Sequence, residues 1–186
     1  VVAGVLGQAG RDGTTLDDAD LASLFVLLVV SGNEATRNAI SWGLKYLTDN
    51  PEQRAIWLND FEGIAPSAVD EIIRLASPVS YMRRTVTQDT ILAGRELLEG
   101  DKVAMFYLAA NRDPAVFADP YTFDVRRRPN SQCGFVGPGP PFCCGSHFAQ
   151  RDITVMCRAF FERLPASASF DAPYTTQYSF MHCFDH

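Results

Sequence analysis

Positive charge is in short supply in this chain. Lysine and arginine total 16 against 22 aspartates and glutamates, for a formal net charge of −6. The basic clusters, Arg83-Arg84 and Arg126 to Arg128, are short, so neither nucleic acid nor an anionic membrane surface is an expected partner. A secretory start is also missing, because Val1 to Gly13 has no basic opening followed by a long apolar run. The most apolar stretch, Leu21 to Val30, is about half of the ~20 residues that a membrane helix needs. A buried helix, and no membrane span, is the expectation there. Cysteine is sparse and irregular, with five residues at 133, 143, 144, 157 and 183. An odd number without a regular framework argues against a secreted, disulfide-stapled scaffold. Adjacent Cys143 and Cys144 cannot easily bridge each other. Internal repeats, low-complexity tracts and nucleotide-binding glycine fingerprints are absent as well.

What is present suits a single domain with a real core: 186 residues, 47% of them hydrophobic. Residues 4 to 15, rich in Gly and polar side chains, read as a loop. The acids Asp17, Asp18 and Asp20 suit the positive end of a following helix. That helix is expected from about 18 to 48, broken at Gly32 and Gly43, and its length suggests a spine crossing a larger body. Asn50-Pro51 ends it and starts a short helix, Glu52 to Asn59, and another is expected over Ser67 to Ala76, stopping before Pro78. Residues 79 to 106 alternate and turn at Ala93-Gly94 and Glu99-Gly100-Asp101, as short strands do. A short helix, Met105 to Asn111, precedes an irregular Pro- and Arg-rich run over 112 to 141. Loops of that length are usually functional. A last helix is expected from near Cys144 to about Leu164, with strand and loop beyond. The fold class is therefore mainly α with a minor β-sheet.

The chemistry concentrates in "GFVGPGPPFCCGSHFAQRD", residues 134 to 152. A Gly/Pro-rich loop delivers a cysteine to the start of a helix. The helix field, unpaired N–H groups and a metal would each favour thiolate over thiol there. Gly145 leaves the backbone free to turn beside the sulfur. An iron porphyrin held by one thiolate uses this geometry, and such a ligand favours O–O cleavage. The competing interpretations are a helix cap with two inert thiols, and a zinc site, which would need clustered Cys and His pairs where only His147 is near. A second signal is Glu71-Ile-Ile-Arg74, whose two charges share one helical face. Alone it is weak, since most such pairs are solvated.

Taken in order, these motifs resemble the cytochrome P-450 signature set. The matching pieces are "SGNEAT" at 31 to 36, Glu71-x-x-Arg74, the Phe123-Asp124 … Arg127 meander, and Phe135 … Gly139 … Cys143-x-Gly145. Phe135 stands one residue further from the cysteine than the commonest spacing. That feature, with "SGNEATRNAISWGL", "DEIIRLASPVSYMRRT" and "ANRDP", is similar to the bacterial branch that hydroxylates steroid side chains and methyl-branched lipids.

The resemblance implies the C-terminal, haem-binding half of that fold: the oxygen-binding helix at about 18–48, the Glu-x-x-Arg helix at about 67–76, the meander at 112–134, and the cysteine loop and last helix at 135–164. All of 1–186 would form one partial domain. Haem b (iron protoporphyrin IX) would be held by Cys143, since register puts Gly139 four residues before it and Gly145 two after; taking Cys144 instead would put Pro140 and Ser146 there. Phe135, Gly139, Gly145 and Gly32 would line the cofactor, and Arg84 would bind a propionate, with Arg83 the fallback. Glu71, Arg74 and Arg127 would form the structural triad that locks the meander. Glu34 would be the acid of the oxygen-activating groove. Ala35 stands where the family carries threonine. Thr36, about 100° further around the helix, does not simply substitute for it, which leaves Ser31 or a substrate hydroxyl to position water. Glu34, Ser31 and Thr36 are thus the candidate catalytic residues.

The loop departs further: Pro141 replaces a basic propionate partner, Cys144 replaces Leu or Ile, and Val136 and Pro138 replace glycines. Val79, Met82 and Phe180 would line the pocket of an apolar substrate, although each suits an ordinary core equally well. Implied partners are dioxygen, a hydrophobic small molecule and a ferredoxin or similar electron donor, in the bacterial cytoplasm. The family's N-terminal half has no counterpart, so a fragment with little turnover of its own is expected. A non-catalytic haem carrier or sensor is the alternative function, and a helical domain without cofactor is the plainest one.

Overall fold

The computed structural model describes residues 16–136 and 142–164, with the backbone of 175–178 and 182–185. The first helix, α1 (Asp18–Asp49), starts where the Asp17 carboxylate accepts a hydrogen bond from Asp20 N at 2.8 Å, which satisfies an otherwise orphaned amide. It runs unbroken through Gly32 and Gly43, correcting the expected interruptions. A lone helical glycine costs only about 1 kcal/mol. At Gly43 the missing Cβ also makes room for a neighbour, since a Cβ there would stand 2.9 Å from Ile72 Cδ1.

The chain divides after Ala35 into two units. In the first, the leading half of α1 exposes Phe25, Val26, Leu27, Val29 and Val30. By length and composition α1 is long and apolar enough to cross a membrane, a test that core helices of soluble proteins also pass. The exposure of Phe25, Val26, Leu27, Val29 and Val30 corrects the burial expected of the Leu21 to Val30 run.

The second unit holds the core. The trailing half of α1 buries Ala39, Trp42 and Leu47. After α2 (Pro51–Asn59) comes α3 (Phe61–Ala76), which begins at Phe61 rather than at the expected Ser67. Asp60 caps it by accepting from Gly63 N at 3.1 Å. Pro66 lies inside the helix and removes one backbone bond, but Ala65, Ser67, Ala68 and Val69 around it are buried, and that burial outweighs the loss. Fully buried Trp57 stacks on Phe61 at 5.1 Å and meets Phe161 edge-on at 5.6 Å. That trio ties α2 and α3 to the last helix, α5 (Ser146–Arg163).

Among the described residues, two antiparallel two-stranded sheets lie between α3 and α5 in sequence and a third follows α5. β1 (Tyr81–Thr85) pairs with β4 (Lys102–Phe106), with Met82 opposite Met105 and Arg84 opposite Val103. β2 (Thr90–Leu92) pairs with β3 (Arg95–Leu97) through Ala93 and Gly94, both at positive φ (50° and 78°), as a tight two-residue hairpin demands. α4 (Tyr107–Ala110) is shorter than expected. β5 (Thr175–Tyr178) pairs with β6 (His182–Asp185). The mainly helical fold with a minor sheet component is thus observed. The expected loop at 4 to 15, and the sites at Gly139 and Phe180, lie outside the described residues.

Candidate functional site

The polar centre of the second unit is Glu71, fully buried on α3. One turn on, Arg74 shares its face, as the spacing anticipates. Arg74 Nε and Nη2 donate to the two Glu71 oxygens at 2.7 and 2.8 Å. Its remaining N–H groups reach Asn111 O at 2.8 Å, Pro120 O at 2.7 Å and Thr122 O at 3.2 Å. All five donors of the guanidinium are therefore used, and its Cζ lies 5.0 Å from the Phe117 ring centroid.

Arg127 arrives from the meander. Its Nε donates to Glu71 at 3.0 and 3.1 Å, and its other nitrogens donate to the carbonyls of Ala118, Asp119 and Thr122. Glu71 also accepts from Asp124 N and Asn130 Nδ2, each at 3.1 Å. A carboxylate buried this completely survives only because every lone pair is engaged.

Two further anchors were not singled out in the sequence. Asn111 accepts from Cys133 N at 2.9 Å and from its thiol at 3.2 Å, and donates to Ser77 Oγ at 2.9 Å. The "ANRDP" stretch was the available signal for it, though nothing in that string reveals the partner 22 residues away. Asp70 accepts from Gln132 Nε2 at 3.4 Å and Gln150 Nε2 at 3.2 Å, linking α3 to the meander and to α5. Burial pushes the Asp70 carboxyl up, against the two amide hydrogen bonds. Burial likewise raises the Cys133 thiol.

The meander is in this way fixed to α3 up to the point where the cysteine loop leaves. Gly134 packs so tightly that a Cβ would stand 2.6 Å from Ile73 Cγ2. Phe135 is half-buried, its ring 6.4 Å from Phe142, and its carbonyl accepts from Cys143 N at 3.0 Å. That bond closes the loop and presents Cys143 just ahead of α5. Both Cys143 and Cys144 are free and exposed. A Cβ on Gly145 would lie 3.9 Å from Cys143 Sγ, so it is the first sulfur that has bare backbone beside it. The start of α5 has no side-chain cap and no acid in its first turn; Ser146 N donates to Cys143 O at 3.2 Å, and the helix field there favours an incoming negative charge. Among the described residues no three His, Cys, Asp or Glu side chains gather into a metal cage. An exposed thiol ahead of an uncapped helix, with bare backbone beside it, fits a cofactor metal taken through one thiolate.

The other candidates are placed as follows. Met82 and Val79 are half-buried on and before β1. Arg84 shares the Met82 face of the β1–β4 ribbon, while Arg83 points to the opposite face. In the first unit, Ser31 and Gly32 are exposed and Glu34 is half-buried, with Ser31 Oγ at 3.5 Å from Leu28 O. A Cβ at Gly32 would meet nothing within 4 Å. Thr36, half-buried, belongs to the second unit.

Known proteins resemble the chain over most of its length. The family description "Cytochrome P450" matches residues 64–177. Over 177 residues the chain is 48% identical to the methyl-branched lipid omega-hydroxylase of Mycobacterium tuberculosis, covering 95% of this chain and 41% of that protein. It is 37% identical to the steroid C26-monooxygenase of Mycobacterium bovis over 89% of this chain and 38% of that one. The chain thus spans about two fifths of the length of these relatives. A Mycobacterium marinum cytochrome P450 solved with pseudoionone superposes with a TM-score of 0.84 at 43% identity, over 88% of this chain and 39% of its own. Cytochrome P450-153 from Novosphingobium aromaticivorans gives a TM-score of 0.84 at 30% identity, over 96% and 45%.

Proposed function

The chain belongs to the cytochrome P450 family, and on that premise we propose that it is the cofactor-holding part of a haem-thiolate monooxygenase. The reaction is insertion of one oxygen atom from dioxygen into an unactivated C–H bond of an apolar substrate. A steroid side chain or a methyl-branched lipid is the favoured substrate class, because the two relatives described above carry those names. The observation that carries the reading is the free, exposed Cys143 ahead of an uncapped helix, on a loop whose root is held by the buried Glu71–Arg74–Arg127 cluster.

Bound haem b would supply an iron centre able to activate dioxygen. The chain's own residues then have separate tasks. Cys143 provides the sulfur that would ligate the iron, presented just ahead of α5. Phe135 and Gly145 shape its surroundings, and Arg84 offers its guanidinium to a cofactor carboxylate. Glu71, Arg74 and Arg127 touch no reacting atom and keep the loop in register. On α1, Glu34 holds and passes protons, Gly32 leaves space, and Ser31 or Thr36 orients water. Val79 and Met82, with Phe180, offer apolar surface to the substrate. Electrons would come from a ferredoxin or similar donor. The apolar half of α1 is proposed to be an interior helix of a cytoplasmic protein; support comes from the fold match over 96% of this chain. The 186-residue chain alone is proposed to have little turnover.

The test is the absorption spectrum of the reduced, CO-bound protein. Thiolate ligation shifts the main band strongly to the red. Cys143→Ser should abolish that shift and Cys144→Ser should preserve it; the reverse would overturn the assignment. A second reading, a haem carrier or sensor without catalysis, is favoured by Ala35 in the position of the expected threonine. Hydroxylated product, formed when substrate and a reductase system are supplied, separates the two.

A further inference from the structure

Asp70 is half-buried on α3, and its Oδ1 accepts from two neutral amides, Gln132 Nε2 at 3.4 Å and Gln150 Nε2 at 3.2 Å. Burial pushes its carboxyl up, so an acid kept at this position carries a desolvation cost. The orientation of Gln132 is fixed by the backbone. Its Oε1 accepts from Gly134 N at 2.7 Å, a role that only the oxygen of the side-chain amide can take. Its nitrogen is thereby turned to Asp70, which must accept.

The two glutamines stand on either side of Cys143 in sequence. Gln132 holds Gly134, and the carbonyl of the next residue, Phe135, accepts from Cys143 N at 3.0 Å. Gln150 lies one turn into α5, and the first residue of that helix, Ser146, donates its N–H to Cys143 O at 3.2 Å. Both backbone groups of Cys143 are thus bonded, one to the residue that follows the meander and one to the start of α5. The place of the sulfur depends on the spacing of those two ends, and Asp70 Oδ1 is bonded to a glutamine from each. Gly134 against Ile73 packs one end, and buried Ile153 the other. Apolar packing is non-directional, whereas two hydrogen bonds on one oxygen fix distance and angle between the groups that donate them.

We propose that Asp70 is a positioning residue for the iron ligand: one carboxylate oxygen clamps Gln132 and Gln150 and so sets the gap across which Cys143 is held. This rests on the haem reading above and extends it to a residue that touches no cofactor. A carboxylate suits the task because it only accepts, so both amides approach it without either meeting a donor.

The experiment compares Asp70→Leu and Asp70→Asn with the parent in two ways. Hydrogen exchange is read at the Gly134 and Cys143 amides, with Asn111, whose amide donates to Tyr107 O at 2.8 Å, as the gauge of general loosening. The reduced, CO-bound spectrum is then read after haem loading. Leucine keeps the bulk without an acceptor, so exchange at Gly134 and Cys143 should speed about 10-fold or more relative to Asn111. The share of CO complex lacking the red shift should rise with it. Asparagine retains an accepting oxygen and should restore most of both signals. Where Asp70→Leu does not fold, Gln150→Leu cuts the α5 arm alone and should speed Cys143 while sparing Gly134. Parental exchange at both amides, or an equal acceleration at Asn111, overturns the proposal. Faster exchange with the parental spectrum overturns it too, since the sulfur is then placed without the clamp. A parent that takes up no haem sinks the proposed function, and the iron ligand's positioning with it.

Discussion

Glu71 and Arg127 stand 56 positions apart in sequence, yet the Arg127 Nε donates to Glu71 Oε1 at 3.0 Å inside the protein. The pair closes a long irregular segment onto α3 with no strand or helix to help. Glu71 has no exposed surface and Arg74 none, while Arg127 keeps 11% of its side chain open. The cluster is therefore held together from the interior outward, and its members are not equivalent.

Replacing Glu71 by Gln should leave two guanidinium groups without a counter-charge in the interior. The expected cost is about 3–5 kcal/mol, the usual penalty for breaking a buried pair on one side. Arg74→Lys should be nearly as damaging, because one ammonium cannot reproduce five fixed donors. Denaturant unfolding of each variant measures both effects. A Glu71→Gln protein as stable as the parent would show that the cluster is not needed for the fold.

Gly134→Ala should disturb the root of the cysteine loop. The added methyl group would meet Ile73 Cγ2 at 2.6 Å and Gln132 Oε1 at 3.1 Å, and the first contact cannot be relieved without moving α3's packing or the loop. Overpacking of this kind costs about 1–3 kcal/mol. Calorimetry should show a lowered Tm; a Tm equal to the parent's would show that the loop root yields without cost.

Val136→Gly should act in the opposite direction. Val136 has a φ of 64°, a left-handed conformation that is unfavourable by about 1–2 kcal/mol for a side-chain-bearing residue and worst for a β-branched one. Glycine removes that strain but gains freedom in the unfolded chain, so a net stabilisation of about 1 kcal/mol or less is expected. A fall in stability would mean that the valine side chain makes contacts worth more than its strain.

Cys157 predicts a pH dependence. It is fully buried in the core, and burial alone pushes its thiol up to about 12 from the ordinary 9.0. Below pH 9 the group is protonated in both folded and unfolded chains, and its contribution to stability is whole. Above that pH the unfolded chain loses its proton first, so stability falls as pH rises, until the folded thiol itself ionises at about 12. The slope is about 1.4 kcal/mol per pH unit for one proton. Cys157→Ala should flatten the decline relative to the parent, which corrects for the lysines and tyrosines titrating nearby. Equal slopes in the two proteins would show that this thiol is not shielded as described.

The order of motifs along the chain, and the chemistry they imply, were legible in the residues themselves. A helix with charges at i and i+3, a Gly/Pro loop delivering Cys143, and apolar periodicity are local patterns, and local patterns reflect backbone geometry. Where α3 begins was not legible, because Pro66 is a local stop signal that burial on both sides overrides. Nor was the continuity of α1 through its glycines, whose small local cost is outweighed by the rest of the helix. Asn111, Asp70, Gln132 and Gln150 acquire meaning only from partners distant in sequence. An amide or a carboxylate looks the same in a string whether it is solvated or buried; folding alone determines which of them lose water, and a group that loses water must find a partner.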